Sequence, residues 1–471
     1  MPAAPHLEPT ARDQGTAPAP AKKKMRWYDG FALSLTMPAA LVASLGGSIG
    51  GLGAWGAVAL WVTAMVLAAV TNWIYTELAA MFPDSSGGIA HYATEGWKSR
   101  APVVGPLASF GYWFSWTTAL SVYSGIVGSL VQAQWFPGQR WTLDLGPVQL
   151  TFPVVVGLGV IALLFGAAMI GLHAAMWIVH LTGAMLLVPL VVFIVGPFVT
   201  GDWDASRLHW NLHGAAGLHE ALVWLYIMAW TCFCVEVCAT FAPEYADPVK
   251  DTSRALRAGV LFGLGVFVLL PLSLAGYVGE GPISGEPTTF YVKAFQDLIG
   301  GGADLMVVFL IGSLLLIMVS GLADGSRVLH TMGVEGITIR QLGVLDRRGV
   351  PVRALLVALV LNVVTLTVLR TPLAIIVAGN LGYILTHILA LSAFALLRRD
   401  RPDAARPIRL PSLMVPVAWT LAALLTVILV VGATGFSVSG YGGPAELAVA
   451  VGVLALGVVL WLYRTRVQDR S

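Results

Sequence analysis

The sequence predicts an all-α membrane protein with twelve transmembrane helices. Two observations carry this. The chain of 471 residues is 57% hydrophobic and 11% charged, with a mean hydropathy of +0.80, whereas a soluble chain carries about 25% charged residues. The apolar residues also fall in runs of about 20, the length that spans a hydrocarbon core of about 30 Å.

Residues 1–26 form the first expected unit, a cytoplasmic tail. Its Ala/Pro-rich composition lacks an apolar period, so it reads as disordered. From Gly30 to Thr76 there is then no charged residue and no histidine. As one helix this stretch would reach about 70 Å, so it must hold two spans and a reversal. The expected spans are 30–52, 56–80, 103–131, 151–172, 174–199, 218–242, 257–279, 303–330, 352–370, 372–397, 412–434 and 444–463. The fourth and fifth are nearly fused near Gly171–His173.

The basic residues test this order. With the N-terminus inside, 23 of the 27 Lys and Arg fall on inner segments, and four (Arg140, Arg207, Lys293 and Arg370) fall outside. Positively charged loops mark the cytoplasmic face, so both termini are expected in the cytoplasm.

Between the first two spans lies Ser44-Leu-Gly-Gly-Ser-Ile-Gly-Gly-Leu-Gly-Ala-Trp-Gly56. A phosphate-binding loop would follow its glycines with Lys and Ser/Thr; here Gly51-Leu52-Gly53 follows. The stretch is expected to be the outer turn, with a slid helix break at Gly46–Gly51 as the alternative. Cys232, Cys234 and Cys238 share one apolar segment. They make no disulfide framework and do not converge as zinc ligands do, so no metal is expected. His173 and His180 are seven apart, but no further ligand cluster follows.

Five stretches resemble the amino acid–polyamine–organocation superfamily of transporters. Residues 75–92, YTELAAMFPDSSGGIAHY, resemble its A-E-L-x-x-x-F-P-x-S-G-G motif. Residues 230–256, WTCFCVEVCATFAPEYADPVKDTSRAL, are similar to its W-x-F-x-G-x-E stretch and the E-x-x-x-P that follows. GSRVLHTMGVEG (325–336), RRGVPVRALL (347–356) and LRRDRPDAARPIRLP (397–411) resemble later loops. The resemblance implies a leucine-transporter-like core of two inverted repeats, spans 1–5 (27–199) and 6–10 (200–397), with spans 11–12 appended (398–471). In that architecture, broken first and sixth helices meet at the midplane.

The chain departs from the family pattern at both breaks. Counting back from Glu77, the family's first-span G-S-G-I-F falls on TMPAAL, 36–41. Pro38 removes a backbone donor there. In the sixth span Cys234 replaces the usual glycine. The substrate therefore need not be an ordinary L-amino acid.

The resemblance implies a substrate site of Ser34, Thr36, Met37, Pro38 and Ala39 with Trp230, Thr231, Cys232, Phe233 and Cys234. An intramembrane carboxylate is either paired or functional, which singles out Glu236 as a gating or proton-sensitive group. His180 is a candidate for proton coupling because imidazole titrates near neutrality. Asp324 could face His180, although pairing with Arg327 three residues on is preferred. His387 and Asn380 are further lining candidates. Glu77, Glu244 and Arg254, with Arg100, are expected to organise a cytoplasmic gate.

The expected function is a permease of the bacterial plasma membrane rather than an enzyme. It moves an amino acid or organic amine by alternating access, coupled to protons or exchanging, with no cofactor and no nucleic-acid partner. The alternatives are a polyamine exchanger of the same fold and a non-cycling sensor or channel.

Overall fold

The computed structural model describes residues 25–470 except 86, 147, 171, 370 and 436–442; the side chains of 170–180 also fall outside the description. The expected tail up to residue 24 lies outside the described residues.

The first apolar run is three helices in line, α1 (Trp27–Ser34), α2 (Thr36–Leu41) and α3 (Leu45–Leu52). The axis bends by 47° between Leu41 and Leu45. The N–H groups of Val42, Ala43 and Ser44 bond to carbonyls three residues back, at 3.3, 3.2 and 3.1 Å. The chain thus tightens into a 3-10-type turn and does not unwind. Two carbonyls at the bend take tyrosine hydroxyls: Tyr123 donates to Ala40 O at 3.0 Å and Tyr291 to Val42 O at 3.2 Å. The break expected within Thr36–Leu41 therefore falls just after it. Pro38 sits in the first turn of α2, where a missing N–H costs the helix little.

The glycine-rich stretch also differs from expectation. Gly46, Gly47, Gly50 and Gly51 belong to α3. Only Gly53, at φ +70°, makes the reversal into α4 (Ala54–Met81), a conformation that glycine adopts without steric cost.

After α4 come the short α5 (Gly88–Trp97) and the long α6 (Val104–Trp135). A small antiparallel hairpin follows, β1 (Thr142–Leu145) on β2 (Val148–Thr151), with Thr142 opposite Thr151; the helix-only expectation did not include it. Next are α7 (Phe152–Ile170), α8 (Leu172–Thr200) and α9 (Gly214–Phe233). A 3-10 turn, Cys234–Glu236, then leads to α10 (Val237–Thr240). The chain continues through α11 (Pro248–Val278), α12 (Glu280–Gly285), α13 (Phe290–Ile299) and α14 (Ala303–Val334). It ends with α15 (Val352–Val368), α16 (Pro372–Asp400), α17 (Met414–Thr434) and α18 (Pro444–Tyr463). Among the described residues ten helices are long and apolar enough to cross a membrane, and the bent first run makes an eleventh. Helix α15 is a shorter apolar helix.

Helix α6 lies at the centre, packed along α14 and α16. Its approach to α16 is backbone to backbone: a Cβ on Gly111 would stand 2.5 Å from Gly382 O. Small residues permit such close crossings, and this one sets the neighbouring Tyr112 and Tyr383 side by side, ring centroids 6.2 Å apart. Both described chain ends lie at one end of the bundle. Met25 N bonds Glu244 O at 3.1 Å, Glu244 pairs with Arg327 of α14, and Arg464 reaches Gly333 O at 3.5 Å. This is called the tail end below.

Candidate functional site

Glu236 closes the 3-10 turn that interrupts the sixth apolar run. It is fully buried. Its Oε1 accepts from the Tyr383 hydroxyl at 2.7 Å and the Trp116 indole N–H at 3.1 Å. Its Oε2 accepts from the Tyr112 hydroxyl at 3.2 Å. A carboxylate has about four acceptor positions, so three are filled, all by neutral donors. A buried carboxylate held in this way keeps its oxygens satisfied without a countercharge.

Beside Glu236 is a cavity lined by Ala40, Ser115, Trp116, Trp230, Cys234, Ile317 and Tyr383. It leaves ≈ 10 Å³ free, about the room of one water. Trp230 donates its indole N–H to Ser115 Oγ at 2.7 Å and stacks on Tyr123 at 6.0 Å. The Cys234 thiol donates to Thr231 O at 3.0 Å. The last turn of α2, just before the bend of the first run, contributes Ala40 to this cavity, and the 3-10 turn of the sixth run contributes Cys234.

Of the residues expected at the substrate, Trp230 and Cys234 line the cavity. Ser34, Thr36, Met37, Pro38, Ala39, Thr231, Cys232 and Phe233 are buried around it but are not among its lining. Thr36 is turned toward Cys234 and Ser34 toward Cys238. Met37 packs at Gly263. Phe233 meets the His387 ring edge-on at 4.8 Å. His387 and Asn380 are likewise not in the lining. His387 Nδ1 shares a hydrogen bond of 2.8 Å with the Tyr75 hydroxyl, and the Asn380 amide donates to Tyr226 O. The His180 side chain lies outside the description.

Sequence reasoning missed Tyr112, Ser115, Trp116, Ile317 and Tyr383. Tyr112 and Trp116 are four apart, one helical face. Two aromatic donors on one face of an uncharged span were the available signal.

The expected Asp324–Arg327 pair does not form. Asp324 Oδ1 accepts from the Thr240 hydroxyl at 2.9 Å, while Arg327 pairs with Glu244 and lies over the Phe241 ring at 5.0 Å. Asp324 is buried against α10, and Arg327, one turn nearer the tail end, reaches past it. The gate partners also differ from expectation. Glu77 is held by Arg398 Nε at 2.9 Å, Arg406 Nε at 3.4 Å and the Leu410 N–H at 2.8 Å. Arg100 pairs with Asp400. Arg254 is exposed, and no ion pair among the described residues includes it. Beside these pairs, His91 of α5 stands 3.9 Å from Glu335. Burial holds the His91 imidazole below its ordinary pKa, so this contact is not an ion pair at neutral pH.

A profile of the amino acid permease family matches residues 26–462. The chain is 26% identical over 289 residues to the amino-acid permease RocE of Bacillus subtilis, covering 60% of this chain and 59% of RocE. The match therefore spans about three fifths of that relative. It is 27% identical over 408 residues to the polyamine transporter PUT1 of Oryza sativa, covering 82% of this chain and 68% of that one. It is 23% identical over 321 residues to the cadaverine/lysine antiporter of Escherichia coli, covering 66% of each. These relatives are transporters, not enzymes. With a matching profile over nearly its whole length and apolar helices throughout, the chain belongs to the amino acid permease family of the amino acid–polyamine–organocation superfamily and is an integral membrane protein.

Proposed function

We propose that the chain is a secondary active transporter that carries an amino acid or related organic amine across the bacterial plasma membrane by alternating access, driven by protons or by exchange. The observation that carries this reading is a cavity lined by Ala40, in the last turn of α2 just before the bend of the first run, and by Cys234, in the 3-10 turn of the sixth, with a buried carboxylate behind it. Discontinuous helices at a shared site allow one part of the bundle to rock against another.

In this reading α15 is the ninth of twelve spans. Residues 27–199 and 200–397 are the inverted repeats, and 398–471 are the appended helices. The concentration of Lys and Arg at the tail end makes that end cytoplasmic. Glu77 and Glu244, with their arginine partners, form ties across the inner mouth. His180 is the sequence-based candidate for the coupling group, and the names of the relatives support an amine or amino acid as cargo.

Counterflow in proteoliposomes tests the reading. Preloading vesicles with substrate should accelerate saturable uptake of the labelled compound. Linear, preload-independent flux would identify a channel, and binding without flux a sensor.

A further inference from the structure

We propose that the tail end carries a docking site for an anionic phospholipid, formed by the turn that precedes α15 and the segment that follows α18. The site is independent of the cargo and of what drives transport; it needs only that the chain spans a membrane.

The first argument is charge. Residues 340–353 and 464–470 hold seven arginines against two acids, Asp346 and Asp469. Asp469 is shared by Arg340 at 3.1 Å and Arg464 at 2.8 Å. Asp346 shapes the turn instead of neutralising it: its Oδ1 accepts the N–H groups of Arg348 and Val350, each at 2.8 Å. Arg347, Arg348, Arg353 and Arg466 are exposed, and no ion pair among the described residues includes them. A guanidinium offers a planar fork of donors that matches phosphate oxygens.

The second argument is that the two segments form one surface. The Arg340 N–H donates to Gln468 Oε1 at 2.9 Å, and Gln468 Nε2 donates to Gln341 Oε1 at 2.9 Å. Arg353 donates to Gln341 O at 3.1 Å. Gly333, near the end of α14, and Gly343 meet backbone to backbone, with no room for a Cβ on either. The turn is thus fixed on α14 before a ligand arrives, which lowers the entropy lost on binding.

The third argument selects a lipid over a free phosphate. Val344 and Leu345, just before Arg347, are each 47% exposed, and Tyr463 and Val467, on either side of Arg466, are each 49% exposed. Arg353 is the second residue of α15, and Arg464 directly follows α18. Further along the same helices Leu356 and Val360 of α15, and Leu456 and Val459 of α18, are exposed as well. Acyl chains lying on these apolar faces put a phosphate at the level of the arginines. Apolar side chains interleaved with arginines suit the boundary between headgroups and acyl chains; a water-soluble anion would leave them uncovered.

The test uses the purified full chain in detergent, titrated in separate arms with phosphatidylglycerol in mixed micelles, phosphatidylcholine in mixed micelles, and inorganic phosphate. The thermal unfolding midpoint reads binding, because a ligand of the folded state raises it. Phosphatidylglycerol should raise the midpoint saturably, and the other two should not. The double variant Arg347→Gln/Arg348→Gln should raise the half-saturating phosphatidylglycerol concentration by about tenfold or more, at about fivefold per arginine. Arg466→Gln, on the other segment, should raise it by about fivefold. Lys250→Gln/Arg257→Gln removes two exposed charges from α11 and should leave it unchanged. An equal loss in this control would overturn the site in favour of diffuse surface charge. An equal response to phosphatidylcholine would overturn headgroup recognition, and an equal response to inorganic phosphate would overturn the lipid in favour of a free anion. An unchanged half-saturation in Arg466→Gln would overturn the joint surface. None of these outcomes bears on counterflow, so the transport reading stands or falls separately.

Discussion

Glu280 Oε1 accepts the backbone N–H of Ala54 at 2.6 Å, joining residues 226 positions apart in the chain. Ala54 is the first residue of α4, so a carboxylate meets the positive end of that helix. The same side chain accepts the His209 N–H at 2.8 Å and contacts the His209 ring at 3.0 Å. One residue of α12 thus ties the loop end of α4 to the segment before α9. Glu280→Ala should cost about 1–3 kcal/mol by leaving backbone donors unpaired, with Glu280→Gln milder. Thermal unfolding in detergent reads this; an unchanged midpoint for Glu280→Ala would deny the tie.

At the other end of the bundle Glu77, 1% exposed, is gripped by Arg398, Arg406 and the Leu410 N–H. Removing one side of a buried pair leaves the other uncompensated. Glu77→Gln should therefore lower stability by about 3–5 kcal/mol. Combined with Arg398→Gln, the loss should be smaller than the sum of the two single losses. Strict additivity in the same unfolding assay would mean that the two side chains do not act together.

Glu236 makes a different prediction, because its partners are donors and not charges. Glu236→Gln keeps the shape but replaces one acceptor oxygen with an NH₂, which must face a donor from Tyr112, Trp116 or Tyr383. Uptake should fall by about tenfold or more, the effect of one mispaired buried group, while the protein remains monodisperse in gel filtration. Wild-type uptake and an unaltered pH profile would remove Glu236 from the transport cycle.

The helices were legible in the sequence because bilayer length and apolarity act locally. An expected span overlaps a described helix at each of the twelve positions, while the boundary expected near Gly171–His173 falls at residues outside the description or whose side chains are outside it. What failed was tertiary. Glu77 finds its arginine 321 residues away, a choice that charge spacing does not encode, so Arg254 and Arg100 were the wrong partners. Pro38 looked like a helix breaker because its place in the first turn of α2 depends on where the helix restarts. Tyr112, Trp116 and Tyr383 drew no expectation from the sequence; their arrangement around Glu236 emerges only when Gly111 and Gly382 bring α6 and α16 together.

Glycines in these helices divide by surroundings. A Cβ on Gly46 would strike Pro287, and one on Gly50 would stand 2.8 Å from Ser284 Oγ, so α3 presents a smooth face to the α12 segment. Gly265, within α11, has nothing within 4 Å of a Cβ. Gly265→Ala should be neutral or stabilise by up to about 1 kcal/mol through helix propensity. Gly46→Ala should destabilise, because Pro287 must move. Equal midpoints for the two variants would show that α12 does not rest on α3 in the folded protein.

Ser48 tests the revised place of the glycine-rich stretch. As part of an outer turn it would be open to solvent. In the structure it is fully buried in α3, its hydroxyl donating to Leu45 O at 2.8 Å and accepting from the Trp61 indole N–H at 3.0 Å. In a background lacking Cys232, Cys234 and Cys238, Ser48→Cys should resist a membrane-impermeant maleimide, while a cysteine at the exposed Trp55 reacts. Lengthening the time spent open at the loop end should expose it, so Glu280→Ala is expected to raise its labelling rate several-fold through the lost tie to Ala54. Rapid labelling of Ser48→Cys with Glu280 intact would restore the outer-turn reading and displace α3 from the first span.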